Sequence, residues 1–201
     1  MAEPRCWHQR AIGAVLAGAA LLALPTALLA QASADPGERG GRSLYLEAGL
    51  SPDSGPRTQS YSLGVLLPSS LLAGLPRQAG PLTLHWNLWI SHWRVPQAFG
   101  GHGGQTQIGG LAAWRYAPGG PASPWFAELG LGLTAMDGLY ATPQHQFSTR
   151  WQFTEVVGLG YRFGAQRSQE ISLRFQHFSN GGVKRPNPGE NFVRLRWAHA
   201  F

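Results

Sequence analysis

The chain has 201 residues and a formal net charge of +6, from 16 Lys and Arg against 10 Asp and Glu. Charged residues make up only 13% of it, about half of their share in an average soluble protein, which argues against disorder and a long solvated helix bundle. The basic residues form no dense run, so the positive charge does not indicate nucleic-acid binding. The single cysteine, Cys6, excludes a disulfide framework and a cysteine-based metal site.

The first 34 residues have the pattern of a cleaved secretory signal peptide. Two arginines precede an apolar run at 11–30, and the small residues Ala32, Ser33 and Ala34 follow it. Twenty apolar residues are also just long enough for a transmembrane anchor, but a proline within the run and the cleavage site favour removal. We therefore expect cleavage after Ala34, or after Ala32, and a single folded domain over 35–201.

Eight segments of this domain alternate apolar and polar residues with a period of two, and none shows helical periodicity over three turns. Eight strands are the smallest common size for a transmembrane barrel. The pattern predicts an all-β protein, an eight-stranded antiparallel β-barrel of the outer-membrane type, with a soluble ligand-binding barrel as the alternative. The predicted strands are 44–50, 58–67, 82–91, 107–116, 125–134, 150–163, 171–177 and 193–201.

The two faces of the predicted strands differ in composition. One face is apolar, whereas the other carries glycines and isolated charges that suit a narrow, filled lumen. Glu155 falls on the apolar face, which suggests a bulge. An internal ion network is expected from Glu47, Glu128, Arg115, Arg162 and Arg174. The aromatic residues expected in the two interfacial girdles are Trp93, Tyr116, Trp125, Trp151, Tyr161 and Trp197.

Turn residues between the strands predict the orientation of the barrel. Short inner turns are expected at 117–124 and 164–169, and outer loops at 95–104, 137–148 and 180–189. Eight strands leave no aqueous channel, so a porin function is disfavoured.

A histidine and a serine near the end of the seventh strand are candidates for chemistry. His177 and Ser179 are two residues apart, so their side chains share a face, and parity assigns it to the lipid side at the outer leaflet. Polar groups facing lipid are costly unless they are functional. The alternative is that they are interfacial polar residues beside a loop.

The residues around this pair resemble the signature of the PagL family, the outer-membrane lipid A 3-O-deacylases. The stretch has His-x-Ser-Asn at 177–180, a small-residue turn, a basic residue and Asn-x-Gly at 187–189. The resemblance implies a serine esterase that hydrolyses the ester-linked 3-hydroxyacyl chain at position 3 of lipid A. Lipid A or lipopolysaccharide in the outer membrane would be its substrate. It implies no cofactor, metal or nucleic acid, and leaves a homodimer open.

A non-catalytic outer-membrane barrel in adhesion or envelope stability is the alternative function. Its loops would more naturally be long and protruding, whereas those predicted here are short.

The resemblance also implies roles for individual residues. Ser179 would be the nucleophile, and His177 the general base that takes its proton. Asn180, with the backbone N–H groups of Gly181 or Gly182, would support the oxyanion. On the same loop, Lys184 and Arg185 would bind the phosphates of lipid A, although a solvated loop equally explains the two charges.

The third member of the predicted triad is ambiguous. The family pattern has Glu two residues after the Gly of Asn-x-Gly, where this chain has Asn191, and Glu190 comes one residue earlier. Parity counted from Phe201 assigns Asn191 to the lipid face and Glu190 to the lumen, although a bulge can rotate a residue at a strand start. The charge favours Glu190 as the residue that orients His177, and Asn191 is the alternative.

Overall fold

A computed structural model describes residues 42–52, 55–69, 80–120 and 122–201, so the predicted signal peptide lies outside the described residues. Each of the eight predicted strands is present. Within the described ranges, no helix is long and apolar enough to cross a bilayer. The strands are β1 (Ser43–Leu50), β2 (Gln59–Pro68), β3 (Leu82–Pro96), β4 (His102–Tyr116), β5 (Trp125–Met136), β6 (Trp151–Phe163), β7 (Gln169–Ser179) and β8 (Glu190–Ala200).

The strands form a closed antiparallel barrel, which confirms the predicted fold. Each strand pairs with its neighbours in the chain, and β1 pairs with β8 to close the sheet. Closure satisfies the backbone hydrogen bonds of every strand and leaves no free edge, as crossing a membrane with strands requires. The loops β1–β2, β3–β4, β5–β6 and β7–β8 lie at one end of the barrel, here termed the outer end.

The hairpin of β3 and β4 is longer than predicted. Its pairing continues to Pro96 and His102, so the loop covers only 97–101 instead of 95–104. The reason is that Gly103 and Gly104 have no side chains to reveal alternation, whereas their backbones still pair with β3.

The outer wall of the barrel is apolar, as predicted. Its exposed side chains include Leu129, Leu131, Leu159, Leu173 and Leu195, which suits contact with lipid. Glu155 lies on this wall without a bulge, because β6 pairs in unbroken register with β5 and β7. The expected bulge was therefore wrong.

The lumen is filled by a network of buried ion pairs. Arg174 contacts Glu47 and Glu128, and Arg115 contacts Glu128 and Glu170. The five predicted members are confirmed, and the structure adds three further partners. These are Glu170, which also lies 3.9 Å from Arg162, and Arg194 and Arg196, which both contact Glu47.

Aromatic side chains fill the lumen towards the outer end. Trp93 packs on Tyr140, Phe178 and Phe192, with ring centroids 4.6 to 5.4 Å apart. Assigning Trp93 to the girdle was therefore wrong: it is fully buried. Alternation along β3 from the buried Trp89 brings it to the inner face.

Candidate active site

His177 and Ser179 lie side by side on the outer wall, at the outer end of β7. Their neighbours Gln176 and Phe178 are buried in the lumen, so strand alternation turns both side chains outward, as predicted. Both are half-buried, since the loop that follows β7 packs over this end of the strand. A hydroxyl and an imidazole are thus brought to one face of the barrel by a two-residue spacing.

The imidazole of His177 is oriented by Asn191. The two residues are cross-strand partners in the pairing of β7 with β8, and His177 Nδ1 lies 2.8 Å from Asn191 Oδ1. Because the amide oxygen only accepts hydrogen bonds, this contact requires Nδ1 to carry the proton. Nε2 then keeps its lone pair and is able to accept a proton from a hydroxyl.

Glu190 belongs to a different environment. Its side chain is buried, and its carboxylate accepts a hydrogen bond from the Tyr140 hydroxyl at 2.6 Å and lies 3.2 Å from His145 Nδ1. In the register it is the partner of Phe178, whose side chain also faces the lumen. The structure therefore places Asn191 against His177, and Glu190 on the opposite side of the sheet, as parity had indicated.

Gly189 supports the other side of the imidazole. A Cβ atom at this position would lie only 2.7 Å from His177 Cε1, and the backbone φ is +73°. Both the close approach and the left-handed backbone require glycine. The Asn-x-Gly motif thus brings the backbone of the loop directly against the histidine ring.

The amide of Asn180 holds the loop between β7 and β8. Its Nδ2 donates to Ser148 Oγ at 3.0 Å and to the carbonyl oxygen of Lys184 at 2.8 Å. Its Oδ1 accepts from the backbone N–H of Gly182 at 3.0 Å, and its own N–H donates to Asn187 Oδ1 at 2.9 Å. Since both amide hydrogens already have acceptors, the side chain of Asn180 organises the loop.

Gly181 provides the backbone donor next to the serine. Its N–H donates to Ser179 Oγ at 3.4 Å, whereas the N–H of Gly182 is bound to Asn180. Gly181 has a φ of +64°, and a Cβ there would lie 3.2 Å from the ring of Phe153. Only Gly181, among the three residues expected to support an oxyanion, therefore directs a donor at the Ser179 hydroxyl in the structure.

Two basic residues extend from the same loop. Lys184 and Arg185 are exposed a few residues beyond Ser179, and the carbonyl of Lys184 is held by Ser148 and Asn180. The hydrogen bonds to the Lys184 carbonyl fix the backbone of the loop. The charged groups of Lys184 and Arg185 face solvent at the outer end of the barrel and are therefore available to an anion.

An apolar groove of about 640 Å³ lies on the outer wall beside the site. It crosses β3 to β6, where the small Gly110 leaves space between larger side chains. Phe153 at its end is the cross-strand partner of Ser179. The other lining side chains include Leu88, Ile108, Leu133 and Trp151.

Sequence reasoning did not identify several residues that hold the predicted site residues in place. Ser148 and Asn187 fix the loop through Asn180, and Tyr140 and His145 bind Glu190. They lie on loops, where no alternation pattern shows which way a side chain points. Asn187 alone had a signal, as the first residue of the Asn-x-Gly motif.

Comparison with known proteins links this site to a family. A family model described as lipid A 3-O-deacylase (PagL) matches residues 60–200. The lipid A deacylase PagL of Bordetella bronchiseptica is 26% identical over 156 residues, which cover 63% of this chain and 85% of that protein. The lipid A deacylase PagL of Pseudomonas aeruginosa is 29% identical over 111 residues, which cover 55% of this chain and 60% of that protein.

The fold is also similar to that of a solved structure. The crystal structure of the outer membrane enzyme PagL superposes with a TM-score of 0.62 at 20% identity, covering 79% of this chain and 99% of that one. At this identity the similarity concerns the fold. The site residues described above, from Ser148 to Asn191, all lie within the range that the family model matches.

Proposed function

The chain belongs to the PagL family of lipid A 3-O-deacylases, and we propose that Ser179 and His177 carry out its reaction on the outer wall of the barrel. It is a lipid A deacylase and a barrel of the bacterial outer membrane. The observation that carries the proposal is the outward placement of His177 and Ser179 on one face of β7, with Asn191 Oδ1 2.8 Å from the histidine Nδ1.

The first step is attack by Ser179 on the ester carbonyl at position 3 of lipid A. A serine hydroxyl is a weak nucleophile, so His177 Nε2 takes its proton as the new C–O bond forms. Asn191 holds the tautomer in which Nε2 is free, as an amide does in Cys-His-Asn proteases. Negative charge then develops on the carbonyl oxygen, and the backbone N–H of Gly181 stabilises it.

Collapse of this intermediate breaks the bond to the sugar. The departing 3-oxygen takes the proton from His177 and leaves as a hydroxyl, while the acyl chain stays on Ser179. Water, deprotonated by His177, then attacks the acyl-enzyme; the bond between the acyl carbon and Ser179 Oγ breaks, His177 returns its proton to Oγ, and the hydroxy fatty acid leaves. Each proton taken by the imidazole is returned, so the site ends the cycle unchanged.

The location of the site fits a substrate that is itself part of the membrane. Ser179 is on the wall that faces lipid, near the outer end, so lipid A reaches it laterally within the outer leaflet. We propose that the apolar groove ending at Phe153 receives an acyl chain of lipid A, because its lining is apolar, as a hydrocarbon chain requires. Lys184 and Arg185 bind the phosphates of lipid A. Residues 1–34 are removed as a signal peptide during export.

Lipid A mass spectrometry with the Ser179→Ala and His177→Ala variants tests the proposal. Expression of the parent chain should remove one 3-hydroxyacyl group from lipid A, and each variant should abolish this loss. Because the two residues act as a unit, the double variant should be no worse than either single one. Gel mobility before and after boiling shows whether each barrel is folded. Appreciable deacylation by folded Ser179→Ala would contradict the assignment of the nucleophile.

A further inference from the structure

Glu155 is an acidic side chain on the wall of the barrel that faces lipid. Of the five glutamates in the strands, four are buried in the lumen with 7% exposure or less, and Glu155 alone is exposed on the outer wall. Its neighbours on that face of β6 are Phe153 and Val157, which are 37% and 56% exposed. A carboxylate among such neighbours is costly in a membrane, and such a group marks a functional position more often than not.

The strand register brings Glu155 next to His177. They are cross-strand partners in the pairing of β6 with β7, and His177 is the partner of Asn191 in the pairing of β7 with β8. Directly opposed residues on one face have Cβ atoms about 4.5–5.5 Å apart. The Thr154 hydroxyl, which donates to the His177 carbonyl at 2.9 Å, fixes β6 and β7 at this point. The cross-strand partners of His177 are thus an asparagine on β8 and a glutamate on β6.

The reaction needs a negative charge that Asn191 does not supply. When His177 takes the serine proton it becomes an imidazolium, and in serine triads a carboxylate stabilises that charge. Asn191 orients the ring but is neutral, and the Glu190 carboxylate faces the lumen. We infer that Glu155 is the acid of this site, a positioning residue that stabilises protonated His177 from β6 while Asn191 holds the ring from β8. This inference rests on the proposed function.

The other groups around His177 do not replace this charge. On β8 the outward-facing neighbours are Asn191 and Val193, neither of which is charged. In the adjoining loops Arg150, Lys184 and Arg185 are basic, and the carboxylate of Asp137 accepts a hydrogen bond from the backbone N–H of Thr106 on β4.

The test compares the kinetics of purified, folded Glu155→Gln with those of the parent on lipid A. We expect kcat to fall about 10-fold or more, less than the roughly 10⁴-fold of a triad carboxylate bonded directly to histidine. KM should change little. A fall in kcat at an unchanged KM separates the loss of a catalytic charge from the loss of a substrate contact.

A second variant shows whether the lost function is the charge. Asn191→Glu in the Glu155→Gln background places a carboxylate on the other side of His177 and should restore most of kcat. Asp137→Asn is the matched control, since it also removes one negative charge from the outer end of the barrel. Among the contacts described, Asp137 bonds only the backbone of β4. Its kcat should equal that of the parent.

The outcomes separate this inference from the proposed function. Parental kcat in Glu155→Gln would overturn the inference, and so would the absence of rescue by Asn191→Glu in a folded double variant. If Ser179→Ala is inactive in the same assay, the Ser179–His177 proposal stands. Activity in folded Ser179→Ala would overturn both.

Discussion

Asn191 orients the imidazole of His177 without supplying a negative charge. An acid at this position would both hold the Nδ1 proton of His177 and balance the imidazolium, whereas the amide performs only the first task. Its hydrogen bond of 2.8 Å is possible because the register of β7 and β8 makes the two residues direct partners. Gly189 completes the support of the ring, since any side chain there would displace it.

The relative importance of Asn191 and Glu190 is testable with two substitutions. Asn191→Ala should lower kcat by about 100-fold, because the ring loses its orientation but the site loses no charge, unlike the roughly 10⁴-fold effect of a triad carboxylate. Glu190→Gln should leave kcat close to that of the parent, since its carboxylate is bound to Tyr140 in the lumen. Both are measured at saturating lipid A after folding is verified by heat modifiability. The reverse ranking would mean that Glu190 orients the base.

At the scale of elements, the loop between β7 and β8 is a structured part of the site. Five hydrogen bonds involve Asn180, with Ser148, with Asn187 and with three backbone groups of the loop itself. They fix the backbone of Gly181, whose N–H is directed at Ser179. The hydrogen bonds of its first residue thus hold this loop in a conformation that directs the Gly181 N–H towards Ser179, without support from a helix or a strand.

Removal of the Asn180 side chain should loosen this loop. Asn180→Ala leaves the Gly182 N–H without its partner and the Lys184 carbonyl with Ser148 alone, and each lost hydrogen bond costs about 0.5–1.5 kcal/mol. We expect trypsin to cleave after Lys184 faster than in the parent, together with a loss of deacylation. Thr142→Ala is the control, because its hydroxyl bonds only within the neighbouring loop among the contacts described. Equal cleavage rates in all three proteins would contradict the role of Asn180.

For the whole molecule, the division between wall and lumen determines what each part does. The lumen is filled by paired charges and, towards the outer end, by aromatic rings, whereas the proposed site lies on the outer wall. Under the proposed function, lipid A therefore reaches this site from the leaflet and not through the barrel. The barrel therefore acts as a scaffold that exposes two short strand ends to lipid.

Breaking the lumen network should destabilise the barrel without touching the site. Arg174→Met leaves Glu47 and Glu128 with fewer counter-charges, and removing one partner of a buried pair costs about 3–5 kcal/mol. Urea unfolding in lipid vesicles should show a lower free energy of unfolding by that amount. Arg57→Met, at an exposed loop position, is the control and should not change it. An unchanged free energy for Arg174→Met would mean that the remaining charges rearrange at no cost.

The barrel, its strand count, its two faces and the outward pair His177 and Ser179 were all predictable from the sequence. They follow from alternation with a period of two, which is a local property of a strand. Which side chains meet across strands follows only from the closed sheet. The partners of His177 depend on register, which turn lengths and barrel closure set over separations of 14 and 22 residues.

The same reason explains what sequence reading left open or missed. Glu155 looked like an irregularity in β6 until the register placed it opposite His177. For Asn180 the sequence predicts an oxyanion role, and only the loop structure shows that its amide hydrogens bind Ser148 and Lys184. Loops have no periodic pattern of apolar residues, and contacts between strands leave no signal in the local sequence. Which side chains meet there depends on the register of the closed sheet.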